Sequence, residues 1–92
     1  MIKSETKQVR AIRDGYTVRG LSPQIQDRAQ VLLTQLDNAT CIEDLRHPPS
    51  NRLHKLKGKL KKYSSLSINS QWRIVFRWDQ GDAHEVEITD YH

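Results

Sequence analysis

YSSLSINSQWRIVFRWDQGDAHEVEITDYH, residues 63–92, decides the fold. Leu66 and Ile68, then Trp72, Ile74, Phe76 and Trp78, then Val86 and Ile88 recur at every second position, the period of strands with one buried face. Ser65, Ser67, Arg73, Arg77, Glu85 and Glu87 fall on the opposite, polar face. Slipping a strand pair by one residue would move every side chain to the wrong side, so the alternation predicts the register. A loop at Asn69-Ser70-Gln71 pairs Ile68 with Trp72, Leu66 with Ile74 and Ser67 with Arg73. At the second hairpin, a two-residue loop at Gln80-Gly81 sets Phe76 against Glu85. A three-residue loop, Gln80-Gly81-Asp82, instead sets Trp78 by His84, Phe76 by Val86, Ile74 by Ile88 and Arg77 by Glu85, and is the expectation. Arg73 thus falls mid-sheet on the polar face.

Upstream, Ser22-Pro23 is a helix cap followed by proline at the first helical position, and Ile25, Ala29, Leu32, Leu33 and Leu36 form a helical stripe. This predicts a helix over about residues 23–37 whose stripe covers the apolar face of the sheet. Thr6 is placed to cap a shorter helix carrying Val9 and Ile12, with Gly15 beyond its end. Ile2 is placed to add an edge strand. Thr40 and Glu43 form a capping-box pattern for one turn carrying Ile42 and Leu45, which Pro48-Pro49 stops. The expected class is α+β, with N-terminal helices packed on one face of a small antiparallel sheet, and residues 1–92 as a single domain.

With 92 residues, a chain buries only about 60 to 65% of its unfolded surface, so the core is modest. The lone Cys41 excludes an internal disulfide, and no signal-like or membrane-length apolar run occurs. A cytoplasmic setting with no membrane association is expected. The net charge of +4 suits an anionic partner. Its distribution is sharper: residues 45–78 contain Arg46, Arg52, Lys55, Lys57, Lys59, Lys61, Lys62, Arg73 and Arg77 but no Asp or Glu. Leu53, Leu56 and Leu60 are placed to anchor this segment to the core while Lys55, Lys57 and Lys59 face solvent, and Gly58 argues against a continuous helix. Taken alone, a lysine run is most simply a solvated loop.

Glycine-rich phosphate loops, GxSxG, paired cysteines and HExxH are all absent. His47, His54, His84 and His92 lack metal-ligand spacing, and His84 is expected beside Trp78 on the apolar side. Trp72 and Trp78 are expected in the core. What remains is a set suited to RNA cleavage without a metal or other cofactor. That reaction needs a base for the 2′-hydroxyl, cations for the phosphorane and an acid for the leaving 5′-oxygen. Lys57, Arg73, Tyr91 and His92 are of the types that supply all three. A histidine titrates near neutrality, and the adjoining α-carboxylate favours its imidazolium. A frayed terminus is the plainer alternative for His92.

Asn51-Arg52-Leu53 leading to Leu56-Lys57-Gly58, then Ile68-Asn69, Gln71-Trp72-Arg73-Ile74 and the terminal Asp90-Tyr91-His92, resemble the HigB branch of the RelE-like toxins over roughly residues 36–92. The resemblance implies a RelE-like microbial RNase toxin fold and ribosome-dependent cleavage of mRNA in the A site. It also implies neutralisation by a HigA-like helix-turn-helix antitoxin, through which the complex binds operator DNA. By the same resemblance, Lys57 neutralises phosphate, Arg73 stabilises the transition state, and His92 handles protons beside Tyr91 and Asp90. Arg52, Lys55, Lys59, Lys61, Lys62, Ser67 and Arg77 become the expected RNA- and ribosome-contacting surface. Family members often read Ile-Arg-Ile-Asn before the QWR segment, and here that arginine position is Ser67. A second expectation is therefore a catalytically weak member that binds RNA, ribosome or antitoxin without efficient cleavage. A DNA-binding regulator is disfavoured, because no helix carries a basic recognition face.

Overall fold

Ser22 starts the longer helix as its sequence predicts. In the computed structural model, which describes residues 1–90, the Ser22 hydroxyl accepts the Ile25 N–H at 3.3 Å. Helix α2 then runs Pro23–Asn38 and buries Ala29, Leu32, Leu33 and Leu36. Helix α1, Lys7–Arg13, has seven residues and is too short to persist by itself. Thr6 caps it by accepting the Val9 N–H at 3.2 Å, Val9 and Ile12 are buried, and Arg13 grips both oxygens of Glu5 at 2.9 and 2.7 Å. Gly15, with φ of 88°, supplies the left-handed residue that leads the chain away from this helix. No helix among the described residues is long and apolar enough to cross a membrane.

Four antiparallel strands follow, β1 His54–Lys55, β2 Tyr63–Ser67, β3 Trp72–Asp79 and β4 Asp82–Asp90, ordered in space as in sequence. Their inner face, Leu66, Ile74, Phe76, Ala83, Val86 and Ile88, packs with the buried stripes of both helices and with Leu45 in one core. Trp72 and Trp78 pack half-buried at its margin. The expectation of three strands is corrected by β1, whose two residues pair with Ser65 and Ser64. A very short, lysine-bearing edge strand is a common way to blunt an open sheet edge. At the opposite edge the N-terminal segment contributes two isolated parallel bridges, Ile2 to Ala83 and Glu5 to Val86, rather than a continuous strand.

The first hairpin has the predicted register, with Leu66 across from Ile74 and Ser67 across from Arg73. The Asn69 side chain closes the loop by accepting the N–H groups of Gln71 and Trp72 at 2.8 and 2.7 Å. The second hairpin differs from expectation. Asp79 pairs with Asp82, Trp78 with Ala83 and Arg77 with His84, so the loop is Gln80-Gly81 alone. Both loop residues have positive φ, 51° and 81°, the primed turn whose twist matches two adjoining strands. The register shifts between Val75 and Arg77, where Glu85 adopts φ of 54°, and beyond it Ile74 again faces Ile88. The parity requirement is met by a bulge instead of a longer loop. Consequently His84 stands across from Arg77, half-buried, and not beside Trp78.

Two further expectations are corrected. The turn Ile42–Arg46 is a 3₁₀ helix capped one residue later than the Thr40/Glu43 pattern predicts: Asp44 accepts the N–H groups of Thr40 and Cys41 at 3.1 and 3.3 Å. Those donors hold the Asp44 carboxyl below its usual range. Leu60 does not anchor in the core but is 51% exposed, whereas Leu53 packs half-buried against it.

Asn51 ties the connection to the helices. Fully buried, it places its amide nitrogen 2.9 Å from Gln35 Oε1 and 3.2 Å from the carbonyls of Leu45 and His47. Asn51→Ala would strand these acceptors in the interior and is expected to lower unfolding free energy by about 2 to 4 kcal/mol, read from urea titrations.

Candidate functional site

The polar face of the sheet is arranged around Arg73. The ladder sets Ser67 across from it on β2 and Thr89 across from it on β4. Its Nη1 donates to the Ser65 hydroxyl at 3.3 Å, and Ser65 is fully buried, so the half-buried guanidinium is held from beneath by the sheet itself. Ser67 is 9% exposed, and its hydroxyl donates to the Asn69 carbonyl at 2.9 Å. It therefore belongs to the turn rather than reaching toward an incoming anion.

His54, which the sequence treats only as an unlikely metal ligand, pairs across from Ser65 on β1 and stands on the same face as Arg73's partner. Periodicity gives no sign of it, because two residues of strand are too few to show a period. Lys57 lies two residues past β1 at the start of the 3₁₀ turn Gly58–Leu60, exposed and without an ion pair among the described residues. Arg52, Lys55, Lys59, Lys61 and Lys62 are exposed as expected. Asp90 pairs across from Trp72, one step past Thr89, and accepts from Gln71 Nε2 at 3.2 Å. Tyr91 and His92 lie outside the described residues.

Beside Arg73's neighbours runs a groove of about 620 Å³ bounded by Leu56, Leu60, Tyr63, Val75, Glu87 and Thr89. It explains the exposed Leu60, which forms a wall of this groove instead of reaching the core. No group of three His, Cys, Asp or Glu side chains among the described residues is arranged to hold a metal ion.

Arg77, the other cation on this face, is neutralised within the fold. Its Nε donates to Glu85 Oε2 at 2.9 Å, Nη1 lies 3.7 Å from Asp79, and the Tyr63 hydroxyl donates to the same Glu85 oxygen at 3.0 Å. The Arg77 hydrogen bond, then that of Tyr63, holds the Glu85 carboxyl below its ordinary range, while Tyr63 is pushed up chiefly by the bond to Glu85. A carboxyl depressed in the folded state stabilises above its unfolded pKa, and that contribution disappears as pH falls through the folded value. Glu85→Gln is therefore expected to narrow its stability gap from wild type as pH drops from roughly 5 to 3, measured by urea denaturation.

Comparison with known proteins places this geometry in a family. The model describing the RelE-like toxin of the type II toxin-antitoxin system HigB matches residues 5–92. Endoribonuclease HigB of Proteus vulgaris is 34% identical over 93 residues, covering 100% of both chains. Toxin HigB-1 of Vibrio cholerae is 46% identical over 48 residues, 52% of this chain and 50% of that one. YafQ from E. coli superposes with a TM-score of 0.64 at 14% identity over 98% of this chain and 93% of its own. YoeB in a YoeB-YefM complex from Staphylococcus aureus superposes with a TM-score of 0.58 at 17% identity over 100% and 98%. At that identity the two structures speak for the fold: two helices on a four-stranded antiparallel sheet. The full-length sequence match carries the assignment, and the chain belongs to the HigB-like family of RelE-like toxins of type II toxin-antitoxin systems.

Proposed function

We propose that this toxin is an endoribonuclease that cuts mRNA in the ribosomal A site, with Arg73 at the reacting phosphate. The observation that carries this reading is the full-length similarity to a protein named Endoribonuclease HigB. Its geometric support is the guanidinium of Arg73, fixed by Ser65 on an open polar face. A fixed cation aimed at developing charge needs no reorganisation during the reaction, the arrangement that electrostatic catalysis favours.

In the chemistry assigned here, a base removes the 2′-hydroxyl proton and O2′ attacks phosphorus. The bond to the 5′-oxygen then breaks as an acid protonates that oxygen. Arg73 and Lys57 balance the extra negative charge of the phosphorane, which leaves no step that requires a metal. His92 transfers protons, with Tyr91 and Asp90 beside it, and His54 is a further imidazole on the face of Arg73. Arg52, Lys55, Lys59, Lys61 and Lys62 contact RNA of the ribosome or message, Ser67 lines the site, and Arg77 joins them once it exchanges Glu85 for a phosphate. The toxin works as one domain in the cytoplasm. A HigA-like helix-turn-helix antitoxin neutralises it, and the pair binds operator DNA through that antitoxin.

Single-turnover cleavage of a programmed ribosome tests this reading. His92→Ala is expected to slow the chemical step by about 10² to 10⁴ while ribosome binding and the circular dichroism spectrum persist. His92→Gln is expected to be nearly as slow, because an amide does not shuttle protons near neutral pH. A folded, bound His92→Ala protein that cuts at the wild-type rate would remove His92 from the mechanism.

A second reading, a weakened nuclease, is favoured by one observation: Ser67 spends its hydroxyl on the Asn69 carbonyl and offers no charge beside Arg73. Ser67→Arg is then expected to raise the single-turnover rate. A variant that stays folded and cuts no faster, while Arg73→Ala abolishes cutting, would show that catalysis does not want a second cation here.

A further inference from the structure

A second cleft, larger than the groove beside Arg73, lies where β1, the start of β2 and the end of β3 meet, and spans about 1050 Å³. Pockets that take drug-sized ligands measure roughly 300 to 1,000 Å³, so a nucleotide with its flanking phosphates fits.

Its walls combine two features. Lys55, Lys61 and Lys62 line it, all exposed and without ion pairs among the described residues. Arg46 and Arg77 also line it, but Glu43 engages the first, and Glu85 and Asp79 engage the second. The positive potential of the cleft therefore comes from the lysines. Trp78 supplies the second feature. It meets Phe76 edge to face, with centroids 6.4 Å apart and planes at 78°, and this ring, half-buried at the margin of the core, also lines the cleft.

An aromatic platform set among unneutralised ammonium groups suits a single strand of nucleic acid. The ring stacks on any base and the lysines hold the adjoining phosphates. A duplex has its base faces already stacked and leaves the ring unused. We propose that this cleft is a second subsite for single-stranded RNA, with one base stacked on Trp78 and its phosphates on Lys55, Lys61 and Lys62. The identity of the strand rests on the mRNA-cleaving reading above. At about 3.4 Å per strand residue, positions 73 and 78 of β3 are about 17 Å apart along the strand and on opposite faces, so the gripped base lies at least a few nucleotides from the cut. The grip is tolerant of sequence, because stacking and phosphate contacts read no base edges.

The test uses the whole chain and a fluorescently labelled 2′-O-methyl oligonucleotide, which lacks the attacking hydroxyl and reports binding without cleavage. In Trp72→Phe, Trp78 is the only remaining tryptophan. Its emission is expected to be quenched in step with the rise in anisotropy, and Trp78→Phe is expected to abolish that component in the otherwise wild-type chain. Lys61→Gln with Lys62→Gln is expected to lower the log-log salt slope by about 1.4, at roughly 0.7 per phosphate contact, whereas Lys7→Gln on α1 leaves it unchanged. No binding, unchanged Trp78 emission at saturation, an unmoved slope in the double lysine variant, or equal quenching by a duplex would each overturn the proposal. Binding with quenching, but no cleavage of ribosomal mRNA, would sink the nuclease reading and leave the subsite standing.

Discussion

Side chains of a regular β-strand alternate faces, and the rest of this structure depends on how that parity is kept. Phe76 and Val86 must both point at the helices, since they fill the core between Leu32, Leu33 and Leu36. The tight Gln80-Gly81 turn by itself leaves the two strands out of phase by one residue. Glu85 absorbs the difference by adopting a left-handed backbone, with φ of 54°, a conformation that usually costs a non-glycine residue of order 1 kcal/mol or more. The return is a sheet whose inner face is apolar from Ala83 to Ile88 and whose outer face keeps Arg73 in register with Ser67 and Thr89.

The same bulge shapes the electrostatics of the outer face. Glu85 meets both Arg77 and Tyr63, so one of the two sheet arginines is neutralised inside the fold. Arg73, fixed by Ser65, lies at the centre of the ladder, and the lysines of residues 55–62 lie around the β1 side. Charge on this face is thus graded from a rigid guanidinium on β3 to mobile ammonium groups on the connection. Rigid groups suit a reacting phosphate, and long flexible ones suit a backbone that must be held in many sequences.

Features carried by local chemistry were legible in the sequence. Ser22-Pro23 and its apolar stripe specify α2, Thr6 specifies α1, and the alternation on either side of Asn69-Ser70-Gln71 specifies the first hairpin, which in turn places Arg73 mid-sheet. The second hairpin was not legible, because a longer loop and a bulge satisfy the same alternation. Only the backbone of Glu85 distinguishes them. His54-Lys55 is too short a strand to display a period, and this concealed His54 on the face of Arg73. Glu43 and Asp44 are both acidic and adjacent, so the capping pattern was ambiguous by one residue. Leu60 was assigned to the core by type, yet its connection turns it to the outer groove. The roles proposed for Tyr91 and His92 come from chemistry and family resemblance.

The Glu85 N–H donates to Ser4 Oγ at 2.7 Å, joining positions 81 residues apart, and Ile2 and Glu5 bridge to β4 in the same region. Residues 2–5 therefore find their partners only once β4 is in place. A chain whose β4 has not docked has no Thr89 beside Arg73 and no Val86 or Ile88 in the core, so it cannot assemble the polar face. Closing such a long loop is slow relative to forming the helices. The polar face around Arg73 is therefore completed in the same closing step of folding that seats Val86 and Ile88 in the core.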